Sequence, residues 1–386
     1  MIDQINILDC VDIINNSVVS YEGMRGYLDT GGLKSNKIVE IRDFNFNDKP
    51  SRANQNVEVG DIILARMKAT TKVKVISQSE SELMVSTGFI VLRPKRTIID
   101  NNFLNHTLIS PFFQRKKDKL CSGSTQKAIN NGNFKKLKIP LPPLDHQKKI
   151  ASILEAADAY RQKTKALIKK YDELTQSLFL DMFGDPVTNP KGWEVKPLKD
   201  FGKIVTGNTP SRRNEDYYST NFIEWIKTGN ITSENQYITN AEEYLSKEGL
   251  KNGRFVNEGS LLVACIAGSI QSIGRAALTD RKVAFNQQIN AIEPHIEVSS
   301  LFLYHLFRNS LRYIQDHATH GMKRMLSKGD FQKILMIKPP IELQNQFANS
   351  VKAIEAQKAQ AQASLAQAED LFNSLLQKAF KGELIN

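Results

Sequence analysis

The chain repeats part of itself. Residues 134–183 align with residues 331–380 at a constant offset of 197 and without a gap, and 13 of the 50 positions are identical. Among them are Phe134/Phe331, Pro142/Pro339, Pro143/Pro340, Gln147/Gln344, Leu174/Leu371 and Phe183/Phe380. As identity this is weak. As register it is a strong constraint, because chain connections tolerate insertions at low entropic cost wherever length does not matter. A fold for this sequence must therefore hold two like segments of fixed length.

The paired prolines punctuate each copy. Pro142-Pro143 and Pro339-Pro340 follow short apolar runs, Leu137-Lys138-Ile139 and Ile334-Leu335-Met336-Ile337, which read as strands. A proline cannot continue a strand ladder, and the residue before it avoids the α region. A long helical pattern follows each pair. In the second copy Phe347, Val351, Ile354, Ala361, Leu365, Ala368, Phe372, Leu375 and Ala379 keep a 4-3 spacing, broken by Lys358. The first copy has Ile150, Leu154, Ala157, Thr164, Ile168, Tyr171, Leu178 and Met182 in the same phase, with breaks at Arg161 and Thr175. Arg161 aligns with Lys358, and a long basic side chain can lay its stem along a seam while its head stays wet. A helix from Asp145 to Asp181 spans about 55 Å. Such narrow stripes fit a two-stranded coiled coil; the other reading is that each helix covers its own domain's sheet.

The stretches before each copy also resemble each other. Val59–Ala65 matches Glu258–Ala264, each a turn glycine followed by a buried strand, and Gly88–Pro94 matches Gln288–Pro294. Helical runs follow at Asn102–Ser110 and Ser299–Ile314. The expected fold class is α+β. Two globular domains, each a mixed, twisted, partly barrel-like sheet with helices, are separated by two long helices that pair as an antiparallel coiled coil, giving a pseudo-twofold internal repeat. The boundaries fall at 1–143, 144–185, 186–340 and 341–386.

Charge follows the same division. The net charge of +11 is carried by residues 1–144, with 21 Lys/Arg against 14 Asp/Glu, and by residues 190–338, with 20 against 15. The two repeated segments are close to neutral. Two basic regions spaced by neutral helices favour a polyanion through counterion release, whereas a charge serving only solubility need not be partitioned. The acidic start of the chain lacks the basic region of a signal peptide, and no apolar run reaches the length of a membrane span. Three widely spaced cysteines, Cys10, Cys121 and Cys265, point to a reducing, cytoplasmic setting and read as small core residues.

Taken in order, these motifs resemble the specificity subunit of type I restriction–modification systems over essentially the whole chain. The resemblance is carried by the two Pro-Pro-x-x-x-x-Gln junctions, by the linker Phe183-Gly184-Asp185-Pro186…Asn189-Pro190-Lys191-Gly192-Trp193, and by Thr206-Gly207-Asn208-Thr209-Pro210-Ser211…Tyr217…Trp225. The first region lacks the Thr206–Ser211 run, so no opening loop carries over to it. The resemblance implies that the two domains are target-recognition domains, each reading half of a bipartite, asymmetric site in double-stranded DNA. It implies that the helices set the spacing and dock two methylation (M) subunits, and that restriction/motor (R) subunits join them. It implies no catalysis and no cofactor in this chain; S-adenosylmethionine, ATP and Mg belong to the partners.

Candidate DNA-contacting residues follow from long donors next to glycine, where backbone can approach a groove. In the first domain they are Lys68, Thr70 and Lys72, the loop residues Arg115, Lys116 and Lys117, and Ser124, Gln126 and Lys127. In the second they are Thr209, Ser211, Arg212, Arg213, Tyr217, Trp225, Lys227 and Asn230, with Lys323 and Arg324 of the His320–Arg324 stretch. Each is equally readable as part of a solvated loop, and Tyr217, Tyr218 and Trp225 more often serve as core. Two alternative functions are carried forward: a coiled-coil scaffold or regulator with incidental DNA binding, and a metal nuclease using Asp185, Glu194 and Lys196.

Overall fold

The structure is a computed structural model that describes residues 4–34, 36–319 and 325–384. The chain divides into two compact units, 1–165 with 363–386, and 166–362. The two long helices, Leu144–Phe183 and Ile341–Lys381, contribute to both units.

In the first unit, strand Gln4–Asn6 pairs antiparallel with Lys138–Pro140, tying the start of the unit to its end. One four-stranded sheet runs in the order Val11–Ile14, Phe89–Pro94, Ile62–Ala65, Val73–Val75, antiparallel throughout. A second has the order Arg42–Phe44, Arg25–Leu28, Met84–Ser86, Ala53–Asn56, with one parallel pair at its centre. Strand Ile62–Ala65 is wholly buried because its two faces belong to two cores. Ile62 and Leu64 pack with Phe103, Leu104 and the long helices, whereas Ile63 and Ala65 pack with Leu28, Leu33 and Val85. A period of two residues thus yields an uninterrupted apolar run.

The second unit repeats this plan. Val195–Pro197 pairs with Leu335–Ile337. One sheet has the order Gly202–Thr206, Ile289–Pro294, Leu261–Ala264, Ala276–Leu278, and the other Tyr244–Leu245, Ile223–Ile226, Val283–Phe285, Phe255–Val256. The parallel pair again lies at the centre of the second sheet. Leu261 and Val263 face one core, Leu262 and Ala264 another.

Within each unit the two long helices lie antiparallel, since numbering rises along one as it falls along the other. In the first, Arg161 lies over the ring of Phe372 at 4.2 Å and Lys165 pairs with Glu369 at 2.9 Å. In the second, Lys358 pairs with Asp172 at 2.6 Å, while Phe183 and Phe347 meet at 5.4 Å. The two breaks expected in the first stripe lie on the seam and are accommodated there. Thr175 is buried and donates to the Tyr171 carbonyl at 3.1 Å; Arg161 uses the Phe372 face and Asp158.

The Pro-Pro junction owes its downstream glutamine to a buried latch. Gln147 Oε1 accepts from the Asp100 amide at 2.9 Å, and its Nε2 donates to the carbonyls of Ile98 and Pro142. Gln344 accepts from the Ser299 amide at 3.0 Å and donates to the Pro339 carbonyl at 2.7 Å. Both glutamines are fully buried, so each joins the N-terminus of a domain helix to the start of a long helix. A second shared contact sits beside it. Phe302 meets Phe179 at 6.0 Å and Phe183 at 4.9 Å, and Phe103 meets Phe380 at 6.4 Å.

Two local expectations change. Arg115–Lys119 is not a loop but the end of helix Pro111–Lys119, set by the Ser110 cap and proline in its first turn. The run Ser299–Ile314 breaks at Ser310 into helices Ser300–Asn309 and Leu311–Asp316.

Candidate nucleic-acid interface

In the first unit the structure joins two candidate stretches that lie far apart in sequence. Strand Ile62–Ala65 ends in Arg66, whose guanidinium donates to Phe89 O, Ile129 O and Asn131 Oδ1. Beyond it, Met67 bridges to Ala128, and the Lys68 amide donates to the Lys127 carbonyl at 2.9 Å. Ser122 and Ala128 exchange backbone hydrogen bonds at 3.0 Å, closing the 122–128 hairpin. Gln126 Nε2 donates to Met67 Sδ at 2.8 Å. Two loops thus form one head. Lys68 and Lys127 stand side by side on it, both exposed and without a side-chain partner among the described residues.

Lys117 corrects the sequence reading. It is 0% exposed, and its ammonium donates to the carbonyls of Met67 at 3.1 Å and Thr70 at 2.8 Å. Burial pushes its pKa down, and neighbouring Asp118 opposes that shift. A sequestered ammonium cannot reach DNA, so Lys117 acts as a clamp beneath the loop. Asp118 adds to the clamp by accepting from the Ala69 amide at 3.1 Å, and Ala69 is held at φ +55°. Nothing in the sequence flagged Ala69 or Met67; Asp118 was visible only as an acid among lysines.

The remaining first-unit candidates divide cleanly. Arg115 and Ser124 are exposed and unpartnered among the described residues. Thr70 Oγ1 donates back to Lys68 O at 3.3 Å. Lys72 donates to the Thr30 carbonyl. Lys116 lies over the Phe112 ring at 4.0 Å, and burial, with Lys138 second, pulls its pKa down.

In the second unit the candidates are mostly engaged internally. The Thr206–Ser211 run is built into the fold. A Cβ on Gly207 would stand 2.1 Å from Asn286 O, so only glycine fits. Thr206 donates to Asn290, Asn208 to Asn252 O, and Thr209 to Gln287. Trp225 is a second correction. It is 4% exposed, packs with Tyr218 and Leu245, and spends its indole N–H on Asn208 O at 3.2 Å. Arg212 stacks over Tyr218 at 4.3 Å and over Trp225 at 4.9 Å. Arg212 and Lys227 share the carboxylate of Glu243, which Lys227 above all holds below its usual pKa. Glu243 had no sequence signal. Asn230 closes a turn by accepting from the Lys227 amide and donating to Asn240 O, and Tyr217 is half-buried. Ser211 and Arg213 are exposed, and their side chains have no partner among the described residues. Lys323, Arg324 and the rest of 320–324 lie outside the described residues. Their frame matches the first unit: Ile266 bridges to Met325, as Met67 does to Ala128, and Leu326 donates to Cys265 O at 2.8 Å, as Ile129 does to Arg66 O.

The nuclease trio is dispersed into other tasks. Asp185 Oδ1 accepts from the Val187 and Thr188 amides, which lower its pKa, and shapes the turn after Gly184 (φ +76°). Glu194 and Lys196 pair with each other at 2.5 Å. Among the described residues no three His, Cys, Asp or Glu side chains gather as a metal site. Cys10 and Cys265 are buried, and burial pushes both thiols up to about 12. No described helix is long and apolar enough to cross a membrane.

With this arrangement in hand, comparison with known proteins is decisive. The family model described as "Type I restriction modification DNA specificity domain" matches residues 27–175 and again 190–369. The chain belongs to this family. It is similar to the HindI specificity subunit of Haemophilus influenzae, at 23% identity over 85% of this chain and 87% of the relative. It is similar to the EcoKI specificity subunit of Escherichia coli, at 24% identity over 86% and 76%. Two solved structures share its fold. One is a chain from work on complex assembly and conformational transition of the type I R-M system, with TM-score 0.66, 19% identity, and coverage of 99% of this chain and 98% of that one. The other is the S subunit from M. genitalium, with TM-score 0.59, 15% identity, and coverage of 98% and 96%. The chain is thus a type I specificity subunit, a DNA-recognition protein, and neither the scaffold nor the nuclease alternative gains support.

Proposed function

We propose that this specificity subunit reads a bipartite, asymmetric double-stranded DNA site, with residues 1–143 and 186–340 each taking one half. One observation supports this most. The two units share strand order, Gln latch and loop frame, yet their equivalent loops carry different side chains. Lys68-Ala69-Thr70 in one answers Ala267-Gly268-Ser269 in the other. Like frames with unlike loops suit two unlike half-sites. Exposed lysine and arginine supply phosphate attraction, and hydroxyls and amides supply base-edge contacts.

In this reading the long helices fix the half-site spacing and dock two methylation subunits, and restriction/motor subunits join the complex in the cytoplasm. Catalysis, S-adenosylmethionine, ATP and Mg all reside in the partners. The test is selection from a random DNA library by the chain assembled with its methylation subunits. Bipartite motifs with a constant gap are expected, and one contiguous motif, or none, overturns the reading. Inserting seven residues at matched positions of both long helices should lengthen the gap and leave both half-sites intact.

A further inference from the structure

We infer that Lys117 and Asp118 are positioning residues that pre-form a two-loop reading head in the first unit, through which Thr70 and Gln126 reach the bases of one half-site while Lys68 and Lys127 hold its phosphates. This rests on the proposed reading of DNA by the first unit.

A loop that reads base edges must hold its donors in place before contact, since ordering it on binding would cost affinity and blur discrimination. Here the ordering is built in from beneath. The Lys117 ammonium ties together two carbonyls three residues apart, Met67 O and Thr70 O. The Asp118 carboxylate takes the amide between them, that of Ala69. These adjacent residues of one helix end therefore grip three backbone groups within the four residues 67–70. The grip is strong enough to hold alanine at φ +55°, a conformation that L side chains rarely adopt and that persists only where surroundings impose it. From the side, the Met67–Ala128 bridge and the Lys68 amide to Lys127 carbonyl bond fasten the second loop to the first. The outcome is a platform with two lysines at adjacent positions, unpaired among the described residues, and Thr70 and Gln126 beside them.

A buried lysine is an unusual choice for such a clamp. The carbonyls it satisfies would be equally served by amides from local structure, as they are in most turns. Lys117 reaches a loop 50 residues away in sequence and leaves the loop's own outward groups free. Among the described residues of the second unit no lysine ammonium grips the matching loop, which carries Gly268 and Ser269; Gln315 Nε2 donates to Ile273 O at 3.1 Å. Among the described residues, a loop held by a buried cation is a feature of the first unit.

The test compares wild type with K117M, D118A, A69G, K68A and K127A, each assembled with methylation subunits, on a half-site-randomised library and in binding titrations across salt. Wild type must first enrich a bipartite motif; if it does not, the reading of the function fails, and not the clamp. With the motif in hand, K117M, D118A and A69G should each lower discrimination at one half-site at least tenfold and leave the other half-site unchanged. They should leave the slope of log affinity against log salt unchanged, whereas K68A and K127A should each reduce its magnitude by about 1. A69G keeps the required backbone shape accessible, so it reads loop rigidity even if K117M fails to fold. Unchanged half-site preference in both D118A and A69G would overturn the inference. So would a salt slope that falls by about 1 in K117M, since Lys117 would then be touching phosphate.

Discussion

The two units differ least where they meet the long helices and most where their loops are free. Gln147 and Gln344 and Phe103 and Phe302 occupy matching places and contact the same parts of the frame, while His106 and His305 match in sequence but meet different rings, Phe372 and Phe347. The loops after strands Ile62–Ala65 and Leu261–Ala264 share a backbone frame but not chemistry: one is clamped by a buried lysine, the other contains glycine. A frame can be duplicated because burial and hydrogen bonding demand the same side chains in both places. A reading surface diverges because water and DNA impose no such demand.

The comparison can be broken most forcefully at the aromatic contacts. F302A should destabilise the second unit by about 3–5 kcal/mol, because Phe302 meets two rings. F103A should fall at or below the lower end of that range, because Phe103 meets one within the same ring-contact distances. Chemical denaturation of the full chain measures both, and a larger loss in F103A would mean that the units are not equivalent frames.

The latches come next. Q344A strands the Ser299 amide and the Pro339 carbonyl, and Q147A strands one group more. Each should cost about 2–3 kcal/mol, since buried polar groups lose their partners, with Q147A the larger. Equal folding stability in either variant and wild type would show that the glutamine of the junction motif is not structural.

Acid sharpens the comparison further. Burial, reinforced by the charges of Arg308 and Lys358, lowers the His305 pKa to about 3, and burial lowers that of His106 against the pull of Asp158 and Asp100. The unfolded imidazole titrates near about 6.5. Between that value and the folded one the unfolded chain binds the extra proton, so this stability is intact above pH 6.5 and drains away as pH falls. The loss is at most about 1.4 kcal/mol per pH unit for each histidine. H305Q should flatten the acid limb of unfolding more than H106Q; an unaltered limb in H305Q would contradict the burial argument. The smallest effect is expected at the seam. K358A removes a pair whose Asp172 side chain is half-exposed, so about 0.2–1 kcal/mol should be lost, and less at higher salt. A salt-independent loss would instead assign Lys358 a packing role, like that of Arg161 on Phe372.

Much of the frame was legible in the chain. The stripe from Phe347 to Ala379 marks the face that the C-terminal helix buries, and the Pro-Pro pairs lie where strands Lys138–Pro140 and Leu335–Ile337 give way to helices. The candidate interface was less legible. Arg115–Lys119 looks like a basic loop, because a helix of nine residues with four cations has no clear stripe. Trp225 and Arg212 look available for DNA because their partners, Asn208 O and Glu243, are brought near only by the sheets.

Sequence alone determined the duplication, the two long helices, the short strands that precede them, and the charge division. These rest on periodicity and local backbone preference, which neighbouring residues impose on one another. Tertiary structure decided which cations are free. Lys117 and Lys116 are adjacent and chemically identical, yet one is sealed under a loop 50 residues distant and the other lies over a ring on its own helix. Whether a charge is buried depends on what folds over it, and that is settled only when segments remote in sequence come together.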